Sequence, residues 1–191
     1  MMKKAEIIDI CKLVASEHTG WVFTDGAFKN KEQNPLIKVI HPSWSFSPGT
    51  ALSQPVAGFL HKNISALEKK LIGFAPYWLG GVFFEEEFPE YRPGIRINDL
   101  ITDKALEVIQ KLFCDGVKII DKYLDFSSEK SLLESMPKNL EGNSGFSYCL
   151  IRAYLGDYDF VRAYRRGEFA HLGSAPTAWI DKIIDHYGID M

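Results

Sequence analysis

The chain of 191 residues lacks the features by which several classes of protein are recognised from sequence. It has three cysteines, widely separated and with no CxxC pair, so neither a zinc site nor a disulfide framework is expected. No run of about 18 apolar residues occurs, which argues against a membrane span. The glycine-rich loops that bind nucleotide phosphates, GxGxxG and the Walker type, are also missing. We therefore predict a protein with no cofactor, no metal and no membrane partner.

The chain also lacks a strong charge bias. It has 22 Lys and Arg against 25 Asp and Glu, a net charge of −3, which gives no support to nucleic-acid binding. Hydrophobic residues make up 46% and charged residues 25%, as in a globular protein. The opening stretch "MMKKAEIIDICKLVASEH" has too many charges for a signal peptide and predicts an amphipathic helix. A cytoplasmic location is the expectation.

The three cysteines and five histidines show no ligand spacing. Each cysteine lies in an apolar helical pattern, which predicts a buried, unreactive thiol. The histidines never stand as HxH or HxxxH, so each is expected on the surface or in a loop. These residues are Cys11, Cys114 and Cys149, with His18, His41, His61, His171 and His186.

The first half of the chain predicts one helix followed by strands. Apolar residues at helical spacing indicate a helix over about Lys3–His18. Asp25-Gly26 then stands between two short aromatic runs, which is typical of a two-residue hairpin turn. The stretches "LIKVIHPSWSFS" and "ALSQPVAGFLHK" predict antiparallel extended segments, and "YWLGGVFFEEEF" another strand.

Between those segments the chain predicts a short helix. Ser65 and Glu68 have the spacing of a capping box, so the helix is expected to begin near Ser65. Gly73 is expected to end it.

The second half predicts helices throughout. Helical spacing begins near Thr102, Ser127 or Ser128 caps a helix that reaches Met136, and about three more helices follow. Strands segregated from helices indicate an α+β fold, with an antiparallel sheet packed against helices. No Pro- or Ser-rich linker separates the halves, so we predict a single domain over 1–191, strand-rich over 1–100 and helical over 101–191.

The tripeptide Arg-Ala-Tyr occurs twice in "LIRAYLGDYDFVRAYRRGEFAH". Two helices joined at Gly156-Asp157 explain the repeat, with Ala153 and Tyr154 on the apolar face of the first helix and Tyr164 on that of the second. Packing does not require the arginines, whose planar guanidinium groups suit carboxylates and phosphates. The arginines are either solvated or ion-paired, or they form an anion-binding or partner-binding surface. They are Arg152, Arg162, Arg165 and Arg166.

An acidic segment, "FFEEEFPE", provides a second candidate surface. If the strand continues through it, Glu85 and Glu87 share one face and Glu86 takes the other. Clustered carboxylates match a basic protein partner, and they also discourage pairing at a sheet edge. The candidate partner-binding residues are Glu85, Glu86, Glu87 and Glu90.

Two other motifs give weaker indications of function. "GFSYC" at 145–149 approaches the nucleophile elbow, but Cys149 replaces its last glycine and no strand precedes it, so no catalytic residue is predicted. Trp21, Phe23, Trp44 and Phe46 alternate and suit a stacking platform, although a sheet face buried under helices explains them better.

The stretch "KIIDKYLDFSSEKSLLESM" (118–136) combines a long helix ending in "DKY" with a Ser-capped helix. Together with "GWVFTDGAFKN" and "LIKVIHPSWSF", it resembles uncharacterised bacterial α+β proteins of unknown function, over about residues 1–136. Some of those proteins are suspected immunity or toxin-neutralising factors. The resemblance implies a protein-binding role and no catalytic residues.

From these observations we predict a non-enzymatic, cytoplasmic bacterial protein that binds another protein, for example as an immunity-type inhibitor of a basic toxin. The alternative is a small-ligand-binding protein or enzyme with a pocket between sheet and helices. There the arginine cluster would hold an anion, and His41 or Glu85 would transfer protons. A third hypothesis is a subunit that dimerises through exposed aromatic residues.

Overall fold

Eight strands and eight helices occur in the part of the chain that the structure describes. This structure is a computed structural model that describes residues 2–47, 50–97, 100–135, 145–169 and 175–190. The strands are β1 Trp21–Thr24, β2 Ala27–Asn30, β3 Leu36–His41, β4 Ser45–Ser47, β5 Thr50–Ser53, β6 Val56–His61, β7 Gly80–Phe83 and β8 Ile95–Arg96. The helices are α1 Lys4–Ser16, α2 Lys62–Ile72, α3 Phe84–Glu87, α4 Thr102–Tyr123, α5 Glu129–Ser135, α6 Gly145–Tyr154, α7 Tyr158–Arg165 and α8 Thr177–Tyr187.

The strands form two antiparallel sheets. The larger has the order β1-β2-β3-β6-β7, and the smaller has the order β4-β5-β8. The predicted hairpin is confirmed, because Asp25 and Gly26 both have positive φ between β1 and β2. The segment from Leu36 to Ser47 is not one continuous strand, since β3 and β4 belong to different sheets on either side of Pro42. With helices dominating the second half, the predicted α+β class is confirmed.

Helix α4 covers the larger sheet and organises the core. Phe113 on α4 packs edge-to-face against Phe28 of β2 and Trp21 of β1, with ring centroids 5.2 and 5.0 Å apart. Gly116 lets α4 approach β3 closely, because a Cβ at this position would lie 2.7 Å from Ile40. Buried residues from both halves of the chain, including α6, α7 and α8, belong to one hydrophobic cluster.

The start of α2 differs from its prediction. The helix begins at Lys62, and the ring Nδ1 of His61 accepts the backbone N–H of Ile64 at 3.3 Å, so His61 is the cap and the predicted Ser65–Glu68 capping box is wrong. Glu68 is buried instead. His61 is also fully buried, with Nε2 2.9 Å from Glu129, so its expected surface position is wrong. Gly73 ends the helix in the left-handed conformation, as predicted.

The remaining helices follow the sequence pattern closely. Asp157 caps α7 by accepting the backbone N–H of Phe160 at 3.1 Å. Ser128 precedes α5 and accepts the N–H of Ser131 at 3.0 Å, while Met136, the predicted end of that helix, lies outside the described residues. Cys11 and Cys149 are buried, but Cys114 is exposed, so the expectation of a third buried thiol is wrong. Among the described helices, none combines the length and apolar character that crossing a membrane requires.

Asp115 of α4 ties the 3₁₀ turn at Pro89–Tyr91 to the helix. Its side chain is 4% exposed and accepts hydrogen bonds from the Tyr91 hydroxyl at 3.0 Å, from Lys118 at 3.0 Å and from Lys111 at 2.5 Å. Burial alone would raise the pKa of Asp115, but these hydrogen bonds outweigh it and hold the pKa below its ordinary value.

We expect Asp115→Asn to lower the free energy of unfolding at pH 7 by about 1–3 kcal/mol, because the charged hydrogen bonds are lost. A carboxyl whose pKa is lowered on folding stabilises the fold above its unfolded-state pKa, and this contribution disappears as the pH falls through the folded value. The deficit of the variant should therefore shrink in acid. Urea unfolding at neutral and acidic pH measures it, with Asp121→Asn, at an exposed carboxylate of the same helix, as the control. Equal stability of wild type and Asp115→Asn at pH 7 would contradict this account.

Candidate functional site

An open groove of about 830 Å³ lies among the described residues. Its lining comes from α1, from the tip of the β1–β2 hairpin, from the loop after β3 and from the loop before β7. We call this surface the aromatic groove. It is lined by Lys4, Ile8, Lys12, Phe23, Thr24, Asp25, Gly26, His41, Ser43, Trp44, Tyr77 and Trp78.

One wall of the aromatic groove is a cluster of three rings. The ring centroid of His41 lies 4.9 Å from that of Tyr77 and 5.5 Å from that of Trp78. The centroids of Tyr77 and Trp78 are 6.3 Å apart. Tyr77 is 59% exposed although it packs against two other rings. Such rings offer large apolar faces together with polar edges, which suits them for contact with a ligand.

His41 in this wall is an uncharged residue. Its Nδ1 accepts the backbone N–H of Ser43 at 3.0 Å, which requires the proton of a neutral imidazole to sit on Nε2. Burial, assisted by the nearby charge of Lys29, lowers the pKa of His41 to about 4. Ser43 has a φ of 52°, a conformation that non-glycine residues rarely adopt. The turn at Ser43 thus positions the backbone N–H that holds the uncharged His41 ring in this wall.

The part of the lining that α1 contributes, which we call the α1 wall, contains two lysines. Lys4, Ile8 and Lys12 are spaced four residues apart on α1, so they lie along one face of the helix. Lys12 is 3.3 Å from Asp9, and both side chains are largely exposed, so this ion pair is weak. The single carboxylate of the lining, Asp25, is paired with Lys29 at 2.8 Å. The lining therefore contains two lysines against one aspartate, on a chain whose net charge is −3.

The arrangement supports binding better than covalent catalysis. Ser43 Oγ lies 3.0 Å from His41 Nδ1, which is the distance of a nucleophile from its base. However, the Nδ1 lone pair already accepts the Ser43 backbone N–H, and the lowered pKa makes the ring a poor proton acceptor. Within the described ranges, no group of three or more His, Cys, Asp or Glu side chains could hold a metal ion.

The acidic segment does not line the groove and is not a strand. The chain turns helical at Phe84, a fully buried residue that packs against Tyr91 with ring centroids 5.1 Å apart, so the predicted alternation of Glu85, Glu86 and Glu87 across a strand is wrong. The lysines of α4 neutralise part of the segment. Glu87 contacts Lys122 at 2.6 Å and the Tyr123 hydroxyl at 2.8 Å, and Glu90 contacts Lys111 at 3.2 Å. Glu85 and Glu86 are exposed.

The four arginines form ion pairs within the C-terminal helices. Arg152 lies 3.7 Å from Asp157, and Arg162 lies 2.5 Å from Asp159. Arg165 pairs with Asp181 and Arg166 pairs with Glu168, both at 2.7 Å. The guanidinium of Arg152 also lies over the ring of Phe160, 5.4 Å from its centroid. The repeat has a structural role, with Ala153 and Tyr164 buried as predicted, but Tyr154 is 36% exposed, so its predicted burial is wrong.

The groups of the predicted anion pocket do not come together in the described residues. His41 lines the aromatic groove, and no arginine does. Glu85 lines a different and smaller cavity of about 220 Å³, beside Pro55 and Tyr91. Neither of these two cavities brings an arginine together with His41 or Glu85.

The groove contains residues that the sequence pattern did not single out. Phe23 and Trp44 are half-buried and pack against the core, and they also line the groove. The side chain of Phe46 lies outside the described residues, as does His171. The strand predicted for "YWLGGVFFEEEF" is shorter than expected, because β7 begins at Gly80 and Tyr77 and Trp78 lie in the loop before it. The signal for a site there is the stretch "FAPYW", in which aromatic residues stand next to a proline.

Comparisons of the chain with protein-family models, with curated proteins and with solved structures find no match. The features of the molecule that bear on function are those of the groove, which is open and lined by aromatic rings and by two lysines.

Proposed function

We propose that this protein works by binding another protein, and that a segment of the partner lies in the aromatic groove. The supporting observation is the ring cluster of His41, Tyr77 and Trp78, in which a solvent-exposed tyrosine stands beside two partly buried rings. Tyrosine and tryptophan are the residues most enriched at the energetic centres of protein interfaces. The role of the protein is then binding rather than catalysis.

The open form of the groove favours a protein segment over a small molecule. Small-molecule sites enclose most of their ligand in a concavity. Tyr77, at 59% exposure, stands on the rim, and Phe74, at 55%, is exposed in the same loop. A partner that extends beyond the groove covers these rings as well, whereas a small ligand would leave them in water.

A narrower form of the proposal makes the chain a bacterial cytoplasmic inhibitor of a toxin. A second candidate surface accompanies it, because Glu85 and Glu86 are exposed and could steer a basic partner. This surface has less support than the groove, since Glu87 and Glu90 already contact lysines of α4. Reversing the charge of Glu85 and Glu86 together separates the two surfaces, because it should leave groove-dependent binding unchanged.

A photo-crosslinker placed in the groove tests the proposal. We expect benzoylphenylalanine at position 77, introduced in cells of the source organism, to form a covalent adduct with one identifiable protein. The same group at Tyr158, an exposed tyrosine of α7 that packs against Tyr187, is the matched control and should not form that adduct. Trp78→Ala in the crosslinking protein should weaken capture about tenfold or more, as expected for an interface centre.

The mass of the adduct decides between hypotheses. A protein-sized adduct at position 77 and not at 158 supports the proposal, and the crosslinked peptide identifies the bound segment. An adduct of small-molecule mass favours the ligand-binding alternative. Equal adducts at both positions, or none at 77, would show that the groove is not the working surface.

A further inference from the structure

We infer that the segment held by the aromatic groove is acidic and extended, with proline or aromatic side chains between its carboxylates. This inference rests on the proposed function and specifies the chemistry of the partner. It is the reverse of the basic partner that the Glu85–Glu90 segment suggested. Two features of the groove carry it: the lysines of the α1 wall and the uncharged rings of the ring wall.

The charge of the α1 wall selects for carboxylates. Lys4 and Lys12 lie two helical turns apart on one face, at a separation of about 12 Å from the helical rise, so they can contact carboxylates several residues apart on an extended chain. Asp25 on the hairpin tip is already matched by Lys29, at 2.8 Å. The carboxylates of a bound segment would therefore not be repelled by an uncompensated acidic side chain of the lining.

The ring wall selects for apolar and planar side chains. His41 is held neutral by its hydrogen bond from Ser43, so it adds no charge to this wall. Tyr77 and Trp78 present ring faces and edges beside it, with Ile8 opposite on α1. Proline and aromatic side chains pack on such rings, and an extended proline-containing chain loses little entropy on binding.

An acidic peptide suits the groove better than a nucleic acid, which is also anionic and stacks on aromatic rings. A nucleic-acid strand requires a continuous cationic track along its phosphates. The lining supplies only two lysines, about 12 Å apart by the helical rise, and not a continuous track. Two carboxylates of an extended peptide suit that spacing.

A phage-displayed library of random short peptides, selected on the full chain, tests the inference. We expect the selected peptides to be rich in Asp and Glu interspersed with Pro, Tyr or Trp. Fluorescein-labelled copies should bind with an affinity that falls about tenfold or more in the Lys4→Glu, Lys12→Glu double variant and falls with added salt. The matched control is Lys104→Glu, Lys130→Glu, which makes the same charge change at exposed lysines of α4 and α5 and should retain binding.

The outcomes distinguish the inferred chemistry of the segment from the proposed role of the groove. Selected peptides that lose binding with Tyr77→Ala but are neutral or basic would overturn the inference and leave the proposed groove intact. Peptides that bind Tyr77→Ala as well as wild type would contradict the proposed function. No peptide enriched above background would overturn the inference, while the crosslink at position 77 still tests the groove. A labelled oligonucleotide that binds more tightly than the acidic peptides would assign the groove to nucleic acid instead.

Discussion

Glu68→Gln should make the protein more stable at pH 8, raising the free energy of unfolding by about 3 kcal/mol, because burial raises the pKa of the Glu68 carboxyl from 4.5 to about 7. Glu68 is 3% exposed, in α2 where it packs against α6 and α8. Its carboxylate lies 3.4 Å from the hydroxyl of Ser147, a long and weak hydrogen bond. Burial raises the pKa of Glu68 to about 7, and the hydroxyl only partly opposes this. A charged carboxylate at this position is therefore poorly solvated.

The sign of the effect depends on pH. A carboxyl whose pKa is raised on folding prefers its protonated form in the native state, so no penalty exists below the unfolded-state pKa. Between that value, 4.5, and about 7 the penalty grows, and above 7 it is fully present. Glutamine copies the shape of the protonated acid without the charge. The gain from Glu68→Gln should therefore be near zero at pH 4 and largest at pH 8.

Chemical unfolding of both proteins between pH 4 and pH 8 measures this difference. Glu107→Gln, at an exposed position of α4, is the matched control and should change stability by less than about 0.5 kcal/mol at every pH. If Glu68→Gln is less stable than wild type at pH 8, the native carboxylate is charged and specifically stabilised. The opposite pH dependence expected for Asp115→Asn gives an internal check that both measurements have the correct sign.

The sequence was most informative where a local rule dictates the structure. The Asp25-Gly26 turn requires positive φ at both residues, Asp157 caps the helix that follows it, and Gly73 ends α2 in the left-handed conformation. The α+β class followed from strands and helices that occupy separate halves of the chain. Each of these features depends on residues close together in the chain, so periodicity and turn chemistry were sufficient.

The predictions failed where a distant residue determines the environment. Ser65 and Glu68 have the spacing of a capping box, yet Glu68 is taken into the core beside Ser147, 79 residues away. The acidic segment follows the apolar run of β7 with no turn residue between them, which predicts that the strand continues, but the chain is helical from Phe84, whose side chain is fully buried. The groove could not be predicted from the sequence either, because α1, the hairpin tip and the loop before β7 are distant in the chain and meet only in the folded structure.

One side of the groove depends on a contact between two strands at which no side chain fits. Gly58 of β6 faces Gly81 of β7, and a Cβ at Gly58 would overlap the carbonyl oxygen of Gly80 and lie 2.7 Å from the Cα of Gly81. Both atoms belong to the backbone, so no rotamer change can relieve the overlap. The same strand pair orients the loop that carries Tyr77 and Trp78, since the N–H of Leu79 donates to Phe59 at 2.8 Å.

Gly58→Ala should therefore lower the free energy of unfolding by about 3 kcal/mol or more, the upper part of the range for inserting a methyl group into a packed interior. Gly116→Ala is the matched control. Its added Cβ would lie 2.7–2.8 Å from three carbons of the buried Ile40 side chain, so Ile40 must move, but no backbone atom is met and alanine favours the helix by about 1 kcal/mol. Urea unfolding should place Gly58→Ala well below Gly116→Ala. Because β7 must move to admit the methyl group, selected acidic peptides should also bind Gly58→Ala more weakly than Gly116→Ala. Equal stability and equal peptide binding of the two variants would mean that the β6–β7 contact does not hold the ring wall in place.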